Sequence, residues 1–172
     1  MLHKIKPKLK IGVISDTHSS LDPRFYEFLK DCDEVWHAGD IGDAKIVDDL
    51  EAFKPLMAVY GNIDDAKMRL RYPLNAIFER AGLKILITHI AGYPGKYNAR
   101  VKALILKEKP HIVVVGHSHI LKVIYDKDLQ HLHINPGAAG LHGWHKVRTA
   151  IRFEIINSQP TKLEIFELPR HL

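Results

Sequence analysis

The stretch LKIGVISDTH (residues 9–18) joins a short apolar run to an Asp-x-His pair. Its β-branched residues Ile11, Val13 and Ile14 are typical of a buried strand. The polar residues that follow, Asp16 and His18, would be costly to bury beside this strand if nothing bound them. The stretch therefore predicts a strand with a ligand-binding pair of side chains at its carboxyl end.

Four further apolar runs also stop at side chains that commonly bind metals. EVWHAGD ends at Asp40, LMAVYGN at Asn62, LKILITH at His89, and HIVVVGHSH at His117 and His119. Ligands of open α/β sheets bind beyond the carboxyl ends of the strands. We therefore expect these side chains to meet those of the first stretch at one edge of a single sheet.

Each of these motifs has a simpler interpretation when it is taken alone. Asp16 could cap a helix, the Gly-Asp and Gly-Asn pairs are typical of turns, and His89 could be a packed, hydrogen-bonded histidine. The two histidines of GHSH have little structural purpose after four β-branched residues. Because all the motifs occur together at strand ends, a metal site is favoured, with Gly39, Gly61 and Gly116 as the sharp turns that point side chains inward.

The set of donors indicates how many ions the site holds. It contains two aspartates, one asparagine and four histidines, without a thiolate. One ion would leave donors unused, whereas two ions that share Asp40 as a bridge would use them all. Nitrogen and oxygen donors of this kind favour Mn²⁺, our first expectation, or Ni²⁺, Zn²⁺, Fe²⁺ or Co²⁺ over Mg²⁺ or Ca²⁺.

The order of apolar runs and helical stretches predicts an α/β fold. Helices are expected after the N-caps Asp22 and Asp43, and a third is expected to end before Pro110. The first half therefore reads β-α-β-α-β, the pattern of a parallel sheet covered by helices. The second half is richer in strands, which suggests antiparallel hairpins or a second sheet packed on the first. The expected fold of the whole chain is therefore an α/β sandwich.

Composition narrows the class of protein. The chain has 172 residues, 46% hydrophobic and 26% charged, which favours one globular domain over residues 1–172. No apolar run approaches the ~20 residues that span a bilayer, and no export signal is evident, so we expect a cytoplasmic protein without membrane contacts. A single cysteine, Cys32, excludes an intrachain disulfide framework and a multi-cysteine zinc site.

The net charge of the chain indicates which kinds of substrate and partner it could bind. A net charge of +5 suits a small phosphate-ester substrate but falls short of the basic footprint of a nucleic-acid-binding protein. Lysines crowd residues 1–10, where a solvated tail explains them. The sequence leaves the oligomeric state open, a homo-oligomer included.

These motifs, in this order, resemble the calcineurin-like metallophosphoesterase superfamily. The short chain and the segment INPGAAG (residues 134–140) are similar to its small bacterial and archaeal phosphodiesterases. The resemblance implies a two-sheet sandwich flanked by helices, in four α/β/β/α layers. It also implies a dinuclear centre that activates water for in-line attack on a phosphate ester. One ion would be held by Asp16, His18, Asp40 and His119, and the other by Asp40, Asn62, His89 and His117.

The sequence departs from this family at several positions. Ile63 stands where larger members have a histidine thought to assist the leaving group, so His142 and His145 become candidate proton donors unless they merely line an exposed loop. Asp64 is a candidate outer orienting group. Ala138 replaces a serine common in relatives. The segment Asn135-Pro136-Gly137 is either a turn beside the metals or a structural hairpin turn.

Other histidines and cations receive simpler interpretations. His37 is expected to pack or to orient the site, and His131 and His133 to share one strand face. Lys96 and Arg100 could contact a substrate phosphate, although a solvated helix face is the simpler interpretation.

Two other functions compete with a metal-dependent phosphodiesterase. One is a non-catalytic metal-binding scaffold similar to the retromer subunit Vps29. Vps29 resembles the expected fold but has altered metal ligands, whereas this chain keeps all seven donors. A nuclease fits the chemistry, yet the sequence has no basic stripe with interleaved aromatic residues for a nucleic-acid strand.

Overall fold

The structure is a computed structural model that describes residues 8–170. Most of the lysine-rich segment predicted to be a solvated tail therefore lies outside the described residues. The elements in chain order are β1 (Leu9–Ile14), α1 (Pro23–Leu29), β2 (Glu34–His37), α2 (Ala44–Phe53), β3 (Leu56–Ala58), α3 (Ala66–Arg71), β4 (Asn75–Arg80), β5 (Leu83–Thr88), α4 (Ala99–Glu108), β6 (Ile112–Val114), β7 (Leu121–Asp126), β8 (His131–Pro136), β9 (Val147–Ile156) and β10 (Gln159–Pro169).

The strands form two mixed sheets of five strands each. The first has the order β10-β9-β1-β2-β3 and the second the order β4-β5-β6-β8-β7. In the first sheet β1, β2 and β3 are parallel, as the βαβαβ pattern predicts. In the second sheet β5, β6 and β8 are parallel, and β4 and β7 flank them in antiparallel pairs. The predicted hairpins and second sheet are both present, but the last hairpin, β9 with β10, joins the first sheet.

Three apolar clusters define four layers. The central cluster lies between the sheets and combines residues such as Val13, Trp36 and Ile85, all fully buried. A second cluster packs α1, α2 and α3 on the outer face of the first sheet, and a third packs α4 on the outer face of the second. The predicted α/β/β/α sandwich is therefore confirmed. Among residues 8–170, no helix is long and apolar enough to cross a membrane.

Side-chain caps begin the predicted helices. Asp22 and Asp43 accept hydrogen bonds from backbone N–H groups in the first turns of α1 and α2, and Asn98 caps α4 in the same way. The short helix α3 and strand β4 were not predicted, because neither has enough periodic apolar residues to stand out from the flanking loops.

The carboxyl ends of five strands point to one side of the molecule, but they belong to both sheets. β1, β2 and β3 come from the first sheet, whereas β5 and β6 come from the second. The expectation of a single sheet edge was therefore wrong. The sequence shows which side chains follow the carboxyl end of a strand, but it does not show which sheet that strand joins.

Candidate metal centre

The first cluster of donor side chains consists of Asp16, His18 and His119. Their ligand atoms all lie within 4.8 Å of one another. Nε2 of His119 lies 3.2 Å from Oδ1 of Asp16, and Nε2 of His18 lies 3.9 Å from the same oxygen. Asp16 and His18 follow β1 and His119 follows β6, so the cluster joins the ends of strands from both sheets.

The second cluster consists of Asp40, His89 and His117, whose ligand atoms also lie within 4.8 Å of one another. Nε2 of His89 is 3.2 Å from Oδ1 of Asp40. Oδ1 of Asn62 lies 3.1 Å from the same nitrogen. The structure thus brings together all seven side chains singled out in the sequence.

Asp40 connects the two clusters. While its Oδ1 faces His89 in the second cluster, its Oδ2 lies 3.5 Å from Nε2 of His18 in the first. Its Oδ1 also accepts a hydrogen bond from the backbone N–H of Ile63, which fixes the plane of the carboxylate. This position suits a group that contacts two ions at once.

The ring of His89 shows that the second cluster fits a cation. Nδ1 lies 2.7 Å from the carbonyl oxygen of Ala38 and must donate its hydrogen to it, so in the neutral ring Nε2 directs its lone pair toward the cluster. The groups around Nε2 are oxygens of Asp40 and Asn62. Burial disfavours the protonated ring, but Asp40 and Asp16 outweigh it and raise the pKa of His89. Nε2 and these oxygens together attract a positive charge, which either a proton on Nε2 or a bound cation supplies, so the second cluster fits a cation.

Two buried polar atoms without hydrogen-bond partners show that the first cluster also fits a cation. Oδ1 of Asp16 and Nε2 of His18 are buried and have no hydrogen-bond partner within residues 8–170. A buried polar atom without a partner costs about 1–3 kcal/mol, a cost that a bound cation removes. Carboxylate, amide and imidazole donors at both clusters fit divalent metal ions.

Five of the seven donors have left-handed backbone conformations. The φ angles are 54° at Asp16, 44° at His18, 54° at Asp40, 68° at His117 and 58° at His119. This region costs about 1–2 kcal/mol for a residue with a side chain. Such conformations cluster at functional sites, where the fold maintains the strain because it aims the side chains.

Three glycines make room for these turns, for two different reasons. Gly39 has a φ of 97° and provides the predicted sharp turn. Gly61 and Gly116 are needed for close approach instead. A Cβ at Gly61 would lie 2.1 Å from Oδ1 of Asp40, and one at Gly116 would lie 2.2 Å from Oγ of Ser15.

Asp64 connects the loop that carries Asp40 to the loop that carries Asn62. Its buried carboxylate accepts hydrogen bonds from the backbone N–H groups of Ile41, Gly42 and Gly61, at 3.2, 2.8 and 2.7 Å. These residues flank Asp40 and Asn62. The expectation that Asp64 orients the site from outside agrees with this geometry.

His145 orients His119 through a chain of hydrogen bonds. Nε2 of His145 donates to the carbonyl oxygen of Gly140, so its Nδ1 can accept from Nδ1 of His119 at 3.2 Å. The lone pair of Nε2 of His119 then faces Asp16. Because both nitrogens of His145 are engaged, this histidine is not free to serve as the proton donor considered in the sequence analysis.

His37 fixes two further loops. Oγ1 of Thr17 donates to the carbonyl of Ile41, so it accepts from Nε2 of His37, while Nδ1 of His37 accepts from the N–H of Gly39. Burial lowers the pKa of His37 to about 4, so the ring stays neutral in this role. Asn135 acts similarly, because its Nδ2 donates to the carbonyl of Gly116 beside His117.

Other candidates lie outside the clusters. His131 and His133 share a strand face, as predicted, but they are buried and both contact the hydroxyl of Tyr97 at 2.8 Å. His142 lies beside the site, with its ring centroid 4.8 Å from that of His18. Both clusters open into a cleft of about 520 Å³ that His142 and Trp144 also line.

Comparisons with known proteins agree with this geometry. The profile of the calcineurin-like phosphoesterase superfamily domain matches residues 9–158. A protein of Methanothermobacter thermautotrophicus described as a probable metallophosphoesterase is 28% identical over 135 residues, which are 74% of this chain and 76% of that protein.

Two solved structures show the same fold. An archaeal phosphodiesterase aligns with a TM-score of 0.74 and 22% identity over 93% of this chain and 100% of its own. Vps29 of Chaetomium thermophilum aligns with a TM-score of 0.71 and 18% identity over 93% and 97%. Since the family profile covers most of the residues and every element from β1 to β9, the chain belongs to the calcineurin-like phosphoesterase superfamily.

Proposed function

We propose that this chain is a metal-dependent phosphodiesterase that hydrolyses a small phosphate ester with two divalent ions, Mn²⁺ first among the candidates. The observation that carries the proposal is the position of Asp40, whose two oxygens face different clusters. The neighbouring archaeal structure is described as a phosphodiesterase, which supports the same class of reaction.

The proposed reaction adds water across one P–O ester bond. The phosphate keeps the oxygen of the water, and the alcohol leaves with a proton. When bound, two divalent ions supply Lewis acidity that activates water near neutral pH and stabilises charge on the phosphoryl oxygens. The hydrogen bonds with Ala38, Ile63 and His145 orient His89, Asp40 and His119, so these residues would hold both ions with little reorganisation during the reaction.

Protonation of the leaving alcohol needs a donor, because Ile63 cannot supply one. We propose His142 for this role. It lines the cleft beside Asp40 and His18, and its ring centroid lies 4.8 Å from that of His18. His145 is committed to Gly140 and His119.

A scaffold similar to Vps29 is the competing function. Besides the similarity of fold, the rim of the cleft favours it, because Trp144 is 100% exposed and Ile120 is 65% exposed. Apolar side chains on a rim are typical of a surface that contacts a partner. Complete ligand clusters favour the enzyme.

Hydrolysis of bis-p-nitrophenyl phosphate separates the two functions. We expect turnover in Mn²⁺, loss of turnover in EDTA, and a decrease of at least about a hundredfold in His117→Ala, since one ligand is removed. His111→Ala, which changes an exposed histidine distant from the clusters, is the matched control. Absence of turnover with Mn²⁺, Ni²⁺, Zn²⁺, Fe²⁺ and Co²⁺ would favour the scaffold, and turnover in EDTA would refute the metal site.

A further inference from the structure

A second cavity adjoins the metal centre on the side of Asn62 and His89. It has a volume of about 530 Å³, and its other walls include Tyr60, Arg69 and Arg100. We call it the Arg69–Arg100 pocket. Because His89 of the second cluster and Asn62, which lies beside it, both line this pocket, a molecule at the metal centre could extend directly into it.

Arg69 is held rigidly by neutral groups. Its Nε donates to the carbonyl oxygen of Asp64 at 2.8 Å, and its Nη2 donates to that of Asn62 at 3.2 Å. The guanidinium carbon lies 5.1 Å from the ring centroid of Tyr60. These contacts fix the guanidinium in the wall of the pocket but leave its charge unbalanced.

Arg100, in the first turn of α4, is held in the same way. Its Nη1 donates to Oδ1 of Asn75 at 2.7 Å, and its Nη2 donates to Oγ1 of Thr88 and the carbonyl of Ile90. All three acceptors are neutral. An arginine with three such bonds is far more ordered than a freely solvated one, so less entropy is lost when it binds a ligand.

Neither guanidinium pairs with a carboxylate in the part of the chain that the structure describes. Other arginines do: Arg71 pairs with Asp48, Arg80 with Glu34, and Arg152 with Glu164. Two ordered, unbalanced positive charges in one pocket form a site for an anion. Their total charge matches a phosphomonoester dianion, which the N–H donors left free on the two guanidinium groups, three on Arg69 and two on Arg100, can bind.

We propose that the Arg69–Arg100 pocket binds a second phosphoryl group of the substrate. The preferred substrate is then a small phosphodiester that carries a further phosphomonoester, with the diester at the metal centre and the monoester between the arginines. This inference rests on the proposed function, and it names the substrate class of the same site.

A pair of chromogenic esters tests the proposal. Thymidine 5′-(p-nitrophenyl phosphate) has one phosphoryl group, and its 3′-phosphorylated form has a second. We expect the 3′-phosphate to raise kcat/KM at least about tenfold, the contribution of a charged hydrogen bond. We expect Arg100→Gln to remove most of this advantage and Arg100→Lys to keep part of it. Lys102→Gln removes the same charge from α4 outside the pocket and should retain the full advantage.

Calorimetry of inorganic phosphate with the EDTA-treated protein tests the pocket without catalysis. We expect binding that Arg100→Gln weakens about tenfold and Lys102→Gln does not, with thermal melting to confirm that each variant is folded. Equal kcat/KM for the two esters, or equal phosphate affinity in Arg100→Gln, would overturn the pocket while the proposed function stands. Phosphate binding of the expected pattern without hydrolysis of either ester would uphold the pocket and refute the proposed function.

Discussion

Asp40→Ala is expected to lose both metal ions and to hydrolyse phosphate esters at least about a thousandfold more slowly. The carboxylate faces His89 through one oxygen and His18 through the other, so its removal takes a ligand from each cluster. Loss of metal activation costs several kcal/mol of transition-state stabilisation, and each 1.4 kcal/mol is tenfold in rate. Elemental analysis after dialysis measures the bound metal, and the diester assay measures the rate.

Two further variants make this experiment specific. Asp40→Asn keeps the shape and the bond from the N–H of Ile63, so a loss of metal in this variant shows that the charge is required. Asp128→Ala removes an exposed carboxylate in the turn after β7, at the opposite end of that strand from His119. This variant should retain full metal content. Retention of two tightly bound ions by Asp40→Ala would show that the ligand assignment is wrong.

Gly61→Ala is expected to reduce hydrolysis about a hundredfold and to destabilise the fold by about 3 kcal/mol. The added Cβ would lie 2.1 Å from Oδ1 of Asp40 and 2.3 Å from its backbone nitrogen. Because one of these atoms belongs to the backbone, a side-chain rotation cannot relieve the overlap. The loop that carries Asn62 must therefore move away from Asp40.

Gly95→Ala is the matched control for this variant. Gly95 has a positive φ, 84°, which Gly61 does not, and nothing lies within 4 Å of its added Cβ. It should lose about 1 kcal/mol from backbone strain and keep its activity. Chemical denaturation and the diester assay measure both effects. Equal behaviour of the two variants would contradict the close packing of Gly61 against Asp40.

Much of the fold could be predicted from local signals. The caps Asp22 and Asp43 and the β-branched runs before Asp16 and His117 are short-range features, and the structure confirms the elements they predict. The emergence of donors at the carboxyl ends of the strands follows from the apolar runs that precede them. The division of those strands between two sheets does not, because it depends on packing between distant segments.

The less predictable features of the site depend on tertiary contacts. Aspartate and histidine are enriched among non-glycine residues with a positive φ, but most of them do not adopt one, so the sequence does not single out Asp16 or His119. His145 was considered as a proton donor because the sequence shows its chemistry but not its hydrogen bonds to Gly140 and His119. Arg100 was considered as a contact for a substrate phosphate, but Arg69 was missed, because the two lie on different helices and only the folded chain brings them to one pocket.

The most direct test is a crystal structure of the chain loaded with Mn²⁺, with anomalous scattering used to locate the ions. We expect two anomalous peaks about 3.5–4 Å apart, one on each side of the carboxylate of Asp40. His18 and His119 should border one peak, and His89 and His117 the other. A single peak, or peaks that lie out of reach of Asp40, would contradict the dinuclear centre.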